Sequence, residues 1–145
     1  MITLTTTSAG TLQSRANRTV RSFMGRSLRP HRVSPTGWAL LGVVAKTAGI
    51  RPSEIAEDLG VQRPMVTQLI REFESRGLVR SITDPSDTRA RRITLTPHGQ
   101  KFVEMLEIKL RHELSGFLGD VPVADLTTYF RVLRKIASKL ENRAT

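Results

Sequence analysis

The chain has 145 residues, 25% of them charged and 39% hydrophobic, which suits one domain with a buried core. Its formal net charge of +10 favours polyanionic partners, namely DNA, RNA or an anionic membrane surface. The absence of cysteine excludes disulfides, thiolate metal sites and thiol-based redox sensing. No apolar run is long enough to span a membrane, and the first residues lack the pattern of a secretory signal, so we expect a cytoplasmic protein.

Two helices are predicted before residue 50. Residues 1–9 are rich in Thr and Ser and are predicted to be frayed, whereas an apolar stripe predicts a helix from Leu12 to about Leu28, ended by Pro30. The other faces of this helix and the turn after it carry Arg15, Arg18, Arg21, Arg26, Arg29 and Arg32. These arginines form either a surface for DNA backbone or an anionic ligand, or a solvated helix face. Ser34-Pro35 is typical of a second helix start, and Trp38 is predicted to lie in its core-facing side.

The central stretch, residues 50–77, predicts two short helices joined by a tight turn. Pro52 suits the first position of the first helix, which runs to Leu59 before Gly60. The second helix starts near Gln62 and ends at Gly77. Its apolar residues recur at helical spacing and form one buried stripe: Val66, Leu69, Ile70 and Phe73. The opposite face carries Arg63, Pro64, Thr67, Gln68 and Arg71, which is the pattern of a recognition helix that enters the DNA major groove.

Two β-strands are predicted directly after these helices, over residues 78–83 and 90–96. In the second strand, Ile93 and Leu95 alternate with polar residues. Residues 84–89 between the strands have the composition of a turn. A helix-turn-helix followed by a β-hairpin is a winged helix, and the predicted tip of this wing is basic, with Arg89, Arg91 and Arg92.

The C-terminal third predicts two further helices, separated by residues 119–122. The first begins at Thr96-Pro97 and is apolar on more than one side, which suggests that its second apolar face meets a partner subunit. The last helix has a single apolar stripe that includes Leu126, Phe130 and Ile136. The predicted fold is therefore mainly α with a small β-hairpin wing, in which N- and C-terminal helices flank a winged helix-turn-helix core.

The stretch GLVRSITDPSDTRARRITLTPHG resembles the wing of the multiple antibiotic resistance regulator (MarR) family of bacterial transcription factors. The matching wing positions are Asp87, Arg89, Ile93, Leu95, Thr96 and Gly99. The helix-turn-helix matches at Ile55-Ala56, Leu59, Val66-Thr67, Leu69-Ile70 and Gly77-Leu78-Val79. Arg51, Gln62 and Ser81 depart from the family pattern, which leaves the base contacts open. The resemblance implies one domain over residues 1–145, with the winged helix-turn-helix at 34–96 and dimerisation helices at 10–31 and 97–142.

The resemblance implies a homodimeric repressor that binds a pseudo-palindromic operator in double-stranded DNA. The predicted DNA-binding residues are Gln62, Arg63, Pro64, Thr67, Gln68, Arg71, Asp87, Arg89 and Arg91. Arg63 could pair with guanine and Gln68 with adenine in the major groove. Arg89 suits the minor groove, with Asp87 holding its guanidinium as the family pattern implies. The resemblance also implies release by a small, often anionic or aromatic, effector, for which the candidates are Arg15, Arg18, Phe23 and Trp38.

An enzyme is not expected, because the chain has no Gly-rich phosphate loop and no local motif for acyl transfer. No metal site or cofactor is predicted, since His31, His98 and His112 are far apart and lack ligand spacing. Two alternatives to a sequence-specific regulator remain open. One is an architectural or RNA-binding winged helix with no effector, and the other is a winged helix used for protein contacts.

Overall fold

Six α-helices and one antiparallel two-stranded sheet make up residues 5–141, which the computed structural model describes, with side chains to Lys139. The mainly α fold with a β-hairpin that the sequence predicts is therefore confirmed. The predicted ends of the chain at residues 1–4 and 142 lie outside the described residues. In chain order the elements are α1 (Thr6–Leu28), a 3-10 helix (Arg29–His31), α2 (Pro35–Lys46), α3 (Pro52–Leu59), α4 (Arg63–Ser75), β1 (Val79–Asp84), β2 (Asp87–Leu95), α5 (Pro97–Phe117) and α6 (Val123–Glu141).

Proline marks the start of each helix from α2 to α5. Pro35, Pro52 and Pro97 are the first residues of α2, α3 and α5, and Pro64 is the second residue of α4. A proline in the first turn costs no hydrogen bond, and its fixed φ suits the helix. The predicted starts at residues 35, 52 and 97 are confirmed.

The start of α1 differs from the prediction by about one and a half turns. α1 begins at Thr6 rather than Leu12, because the Thr5 hydroxyl accepts a hydrogen bond from the Ser8 backbone N–H at 3.1 Å. This N-cap satisfies one of the unpaired N–H groups of the first turn. Residues 5–9, which were predicted to be frayed, are therefore capped helix.

The chain divides into two compact units between Leu110 and Arg111. The first unit contains α1 to α4, the wing and most of α5, and its core draws side chains from all of them. Trp38, predicted to lie in the core, is half buried and packs against it. The largest fully buried apolar side chains are Leu28, Leu40, Leu41, Ile55, Phe73, Leu78, Ile93 and Leu106.

The wing is longer than predicted and is bonded to the connection between α2 and α3. Its strands pair from Val79 with Leu95 to Thr83 with Arg91, after which the register shifts so that Asp84 pairs with Asp87. At the other end, the Ile93 N–H donates to the Ile50 carbonyl at 2.8 Å. The base of the wing is therefore fixed to the backbone that leads into α3.

The second unit contains the end of α5, the turn after it and α6. A groove of about 360 Å³ lies within this unit and is lined mainly by apolar residues, among them Leu114, Leu126 and Phe130. The apolar face of α6 remains largely exposed, with Ile136 54% and Phe130 47% accessible. None of the helices in residues 5–141 combines the length and the apolar character that crossing a lipid bilayer requires.

Candidate nucleic-acid interface

Helix α4 is held in the fold by one face and exposes the other. Val66, Ile70 and Phe73 are buried at 0%, 5% and 1% accessibility, as the predicted stripe requires. Gly60, at φ +62°, makes the turn between α3 and α4 in a conformation that glycine adopts without steric cost. The core thus fixes the rotation of α4 about its own axis, and the remaining face is turned to solvent.

The exposed face of α4 brings five predicted DNA-binding residues together. They line a shallow depression of about 520 Å³, and they are Arg63, Pro64, Thr67, Gln68 and Arg71. Gln62 precedes them as the N-cap residue, but its side chain makes no capping hydrogen bond. The Thr67 hydroxyl donates to the Arg63 carbonyl at 3.1 Å, which leaves its oxygen lone pairs as acceptors. Residues 63–71 contain two arginines and no acidic residue, so this surface favours an anionic partner.

The two glutamates near the end of α4 each interact with another residue of the chain. Glu72 lies 3.8 Å from Arg76, a separation at which an exposed ion pair contributes little stability. One carboxylate oxygen of Glu74 accepts hydrogen bonds from both the backbone N–H and the hydroxyl of Ser81 on β1. Ser81, a departure from the family pattern, therefore joins the wing to the end of α4.

A notch of about 260 Å³ separates α4 from the wing. Arg71 and Thr67 line it from the helix, and Arg91 and Ser81 line it from the strands. Arg71 and Arg91 are both exposed. The structure thus brings the basic residues of two elements to one gap, which is wide enough for small anionic groups.

The end of the wing differs from the prediction in its side-chain contacts. The Asp87 carboxylate accepts a hydrogen bond from the Arg89 backbone N–H at 3.0 Å, and within residues 5–141 no ion pair joins it to the Arg89 guanidinium. Asp87 therefore shapes the turn, as short acidic side chains commonly do. Arg89 and Arg91 are exposed, as predicted.

Arg92 is not part of the basic tip, because its guanidinium turns inward. Its Nε donates to the carboxylate of Asp84 at 2.9 Å and its Nη1 donates to the Gly49 carbonyl at 3.2 Å. Asp84 is 1% accessible and also accepts a hydrogen bond from Arg51 Nη2 at 3.1 Å. Hydrogen bonds from the Ser86 hydroxyl and backbone, followed by those from the two arginines, hold the pKa of Asp84 well below its usual range despite its burial.

Three comparisons with known proteins find similarity to the same group of proteins. The model of the MarR family matches residues 33–90. The transcriptional activatory protein BadR of Rhodopseudomonas palustris is 29% identical over 120 residues, which cover 80% of this chain and 69% of BadR. A MarR-family transcriptional regulator from Rhodococcus sp. RHA1 has a TM-score of 0.84 at 21% identity, with 94% of this chain and 96% of that chain covered. The chain is similar to MarR-family proteins in sequence over residues 33–90 and in fold over most of its length.

A further solved structure has the same fold. The transcriptional repressor CouR, bound to a 23-mer DNA duplex, has a TM-score of 0.81 at 22% identity, with 88% of this chain and 91% of CouR covered. These similar proteins are, by their names, transcription regulators. The winged helix-turn-helix of this chain is the part that the family model matches.

The candidate effector residues of this chain lie in different environments. Arg15 and Arg18 are exposed on α1, whereas Phe23 and Trp38 are half buried. Between these helices, Arg21 Nη2 donates to the Thr36 hydroxyl at 3.2 Å. Arg21 therefore joins α1 to α2, a contact that its place among the charged residues of α1 did not predict.

The cluster around Asp84 was also missed by the sequence reasoning. Asp84 has the composition signal of a turn residue, and Arg51 lies 33 positions before it in the chain. The one available signal was Arg51 itself, which occupies the start of α3 where the family usually has a capping Ser or Thr. Its side chain makes no cap, and instead the Glu54 carboxylate accepts the Arg51 backbone N–H at 2.8 Å.

Proposed function

We propose that this chain is a MarR-family regulator that binds a pseudo-palindromic operator as a homodimer, with α4 in the major groove and the wing in the adjacent minor groove. The exposed face of α4 is the observation that carries the proposal, because its arginines and its glutamine have the side chains that read base edges. A twofold dimer presents two such helices about one DNA turn apart.

The residues divide by the kind of contact that they suit. Arg63 and Gln68 suit base edges, whereas Thr67, Arg71 and Arg91 suit the phosphates that pass over the notch between α4 and the wing. Gln62 and Pro64 flank the start of α4 and suit the edge of the same contact. Arg89, exposed on the wing, suits the enhanced negative potential of a narrow minor groove.

The dimer is supported by where the apolar surface lies. Exposed large apolar side chains concentrate on three helices: Leu12 and Val20 on α1, Met105, Ile108 and Phe117 on α5, and Val123, Tyr129, Phe130, Val132 and Ile136 on α6. Only Met65 and Ile82 of this exposed set lie on the winged helix-turn-helix, residues 34–96. Exposed apolar residues concentrated on a helix mark an interaction site. We assign residues 10–31 and 97–142 to the dimer interface, within one domain that spans residues 1–145.

The regulator acts as a repressor in this proposal, and an anionic or aromatic effector releases it from DNA. CouR is named a repressor and BadR an activatory protein, so whether this regulator represses or activates needs its own measurement. Deleting the gene should raise transcription from the bound promoter. The site of action is the compartment that holds the DNA, the cytoplasm of a bacterial cell.

A fluorescence-anisotropy titration tests the proposal directly. The purified protein is titrated with the DNA upstream of its own coding region and, in parallel, with scrambled DNA of equal length at about physiological salt. We expect an affinity ratio of roughly a thousand or more and two protomers per site. Equal binding to both DNAs, weakening in parallel with salt, would instead support the non-specific architectural alternative.

Two variants separate base reading from phosphate binding. Gln68→Ala should cost about 1–3 kcal/mol of discrimination at one base position, and the matched control Gln13→Ala on exposed α1 should cost none. Arg91→Gln should weaken binding to every sequence alike and reduce the salt slope by about one. If Gln68→Ala leaves discrimination unchanged, the assignment of Gln68 to a base edge is wrong.

A further inference from the structure

We infer that Asp84 is a positioning residue that holds the DNA-contacting end of the wing in place, and that it acts on DNA through Arg89. The inference deepens the proposed function and rests on its assignment of Arg89 to the minor groove. It differs from the family expectation, in which the carboxylate of Asp87 holds the arginine.

The contacts of Asp84 tie three segments of the chain together. Its Oδ2 accepts from Arg51 Nη2 at 3.1 Å and from Arg92 Nε at 2.9 Å. Its Oδ1 accepts from the Ser86 backbone N–H at 3.0 Å and from the Ser86 hydroxyl at 2.7 Å. Arg51 is the N-cap residue of α3, Arg92 belongs to β2, and Ser86 lies in the hairpin turn. One buried carboxylate therefore bonds the end of the wing to the start of the helix-turn-helix.

The strand register explains how these bonds reach Arg89. Thr83 pairs with Arg91 and the next residue of β1, Asp84, pairs with Asp87. Residues 88–90 of β2 thus have no pairing partner on β1 and form a bulge, with Arg89 at its centre. Bulges of this kind re-aim side chains at functional sites. The bonds to Asp84 fix one end of the bulge through its pairing with Asp87 and the other end through Arg92.

The environment of Asp84 suits a fixed anchor better than that of Asp87. Asp84 is 1% accessible, so its charge-assisted bonds are little screened by solvent. Asp87 is exposed, and exposed ion pairs are weak and mobile. The two arginine side chains of the cluster are 45% and 39% accessible, so both can return to water when the carboxylate is neutralised. Removing the charge should therefore loosen the wing without unfolding the chain.

Asparagine is the sharpest substitution at both positions. In Asp84→Asn the retained Oδ1 still accepts from Ser86, whereas an amide NH₂ replaces the oxygen that faces the two arginines. Asp87→Asn likewise retains an acceptor for the Arg89 backbone N–H. The pair of variants therefore removes one negative charge at each position with little change in shape.

The experiment measures operator affinity for Asp84→Asn, Asp87→Asn, Arg89→Ala and the double variant Asp84→Asn/Arg89→Ala. We expect Arg89→Ala and Asp84→Asn each to weaken binding roughly tenfold, and Asp87→Asn by less than about twofold. The double variant should bind no more weakly than Arg89→Ala alone, because the two changes remove the same contact.

A contact from α4 provides the control for a merely structural effect. The losses of Asp84→Asn and Gln68→Ala should add, since α4 and the bulge contact DNA independently. Additive losses of Asp84→Asn and Arg89→Ala, or full affinity of Asp84→Asn while Arg89→Ala is weakened, overturn the inference and leave the proposed function standing. Full affinity of Arg89→Ala overturns the assignment of the wing and the inference together, while specific binding of the wild type still supports a sequence-specific regulator.

Discussion

At the scale of single residues, Gly99 is the position where the fold leaves no room for a side chain. A Cβ atom at Gly99 would lie 1.8 Å from the Leu78 carbonyl oxygen, which is backbone and cannot rotate away. The Gly99 N–H also donates to the Thr96 hydroxyl at 2.9 Å, the cap that starts α5. We expect Gly99→Ala to lower the free energy of unfolding by about 1–3 kcal/mol or more, as measured by urea denaturation.

The control for this substitution is Gly42→Ala. Gly42 is exposed in α2, and a Cβ there would meet nothing within 4 Å. Alanine is the better helix former by about 1 kcal/mol, so Gly42→Ala should stabilise the protein. A loss at Gly42 as large as that at Gly99 would show that the contact with Leu78 is not the cause.

Asp84 gives a pH dependence whose sign follows from its lowered pKa. The hydrogen bonds from Ser86 and the two arginines favour the ionised form of Asp84 in the folded state. Ionised Asp84 therefore stabilises the fold at any pH above the ordinary Asp pKa of about 3.9. This stabilisation is lost as the pH falls below that value toward the folded-state pKa. The melting temperature of the wild type should exceed that of Asp84→Asn by a constant amount from pH 8 to 5.

Below about pH 4 the two melting temperatures should converge, because the Asp84 carboxyl group then takes up a proton when the chain unfolds but stays ionised in the folded state, so that proton binding favours unfolding. The measurement is thermal unfolding of both proteins by circular dichroism across the pH series. A difference that widens on acidification would contradict a lowered pKa at Asp84.

At the scale of elements, the apolar face of α6 predicts the oligomeric state. Ile136 is 54% accessible and lies on the same face as Tyr129, where a second subunit is proposed to pack. A charge at the centre of such an interface is costly to bury. We expect Ile136→Glu to reduce the mass measured by light scattering from twice the chain mass of 16.2 kDa toward a single chain mass.

Ala124→Glu serves as the matched control for the α6 variant. Ala124 is exposed near the start of the same helix, about half a turn away from the apolar face, and the substitution adds the same charge. The control should remain a dimer. A monomeric wild type, or a dimeric Ile136→Glu, would contradict the assignment of this face.

The elements also show how far the sequence could predict the fold. The buried face of α4 followed from the spacing of Val66, Ile70 and Phe73, and helix starts followed from proline, because both signals are local in the chain. The start of α1 was missed, because a capped segment of Thr, Ser and Gly has no apolar period. The five candidate DNA-binding residues within α4 lie on one surface, as their spacing predicted.

The contacts of the wing were beyond the reach of sequence pattern. Asp84 bonds to a residue 33 positions away, and a turn-forming composition gives no sign that its carboxylate is buried. Arg92 was likewise mispredicted. Its place beside Arg91 suggested that it belongs to the basic tip, but its guanidinium lies against Asp84 and Gly49. Contacts between residues far apart in the chain depend on how the elements pack. Local sequence patterns therefore do not predict them.

At the scale of the whole molecule, the positive charge lies mostly outside the helix-turn-helix and wing of residues 51–96. Residues 1–50 carry a net charge of +7 and no acidic residue, whereas residues 51–96 carry +1. Arg15, Arg18, Arg26 and Arg29 recur at spacings that place them on one side of α1 and the turn after it, and all four are exposed. Such an unopposed field attracts DNA over long distances and raises the association rate.

Neutralising these four arginines to glutamine should slow association with operator DNA by about tenfold at low salt, as measured by stopped-flow fluorescence. The matched control neutralises Arg131, Arg134, Lys135 and Lys139 of α6, which changes the net charge equally in residues 97–145, where six acidic residues already balance most of the eight basic ones. We expect a smaller effect in the control, and no difference between the variants at high salt. Equal slowing by both would mean that net charge alone, and not its location, sets the rate.

The prolines at the helix starts have a consequence for how this regulator can evolve. Pro64 restricts the backbone where α4 begins, and the side chain of Gln62 makes no capping hydrogen bond there. The residues proposed to contact DNA therefore do not have to cap their own helix. Substitutions at Gln62, Arg63 and Gln68 can then change the preferred operator while the helix keeps its length and its rotation against the core. A lineage carrying this framework can acquire new target promoters by changes confined to one exposed helix face.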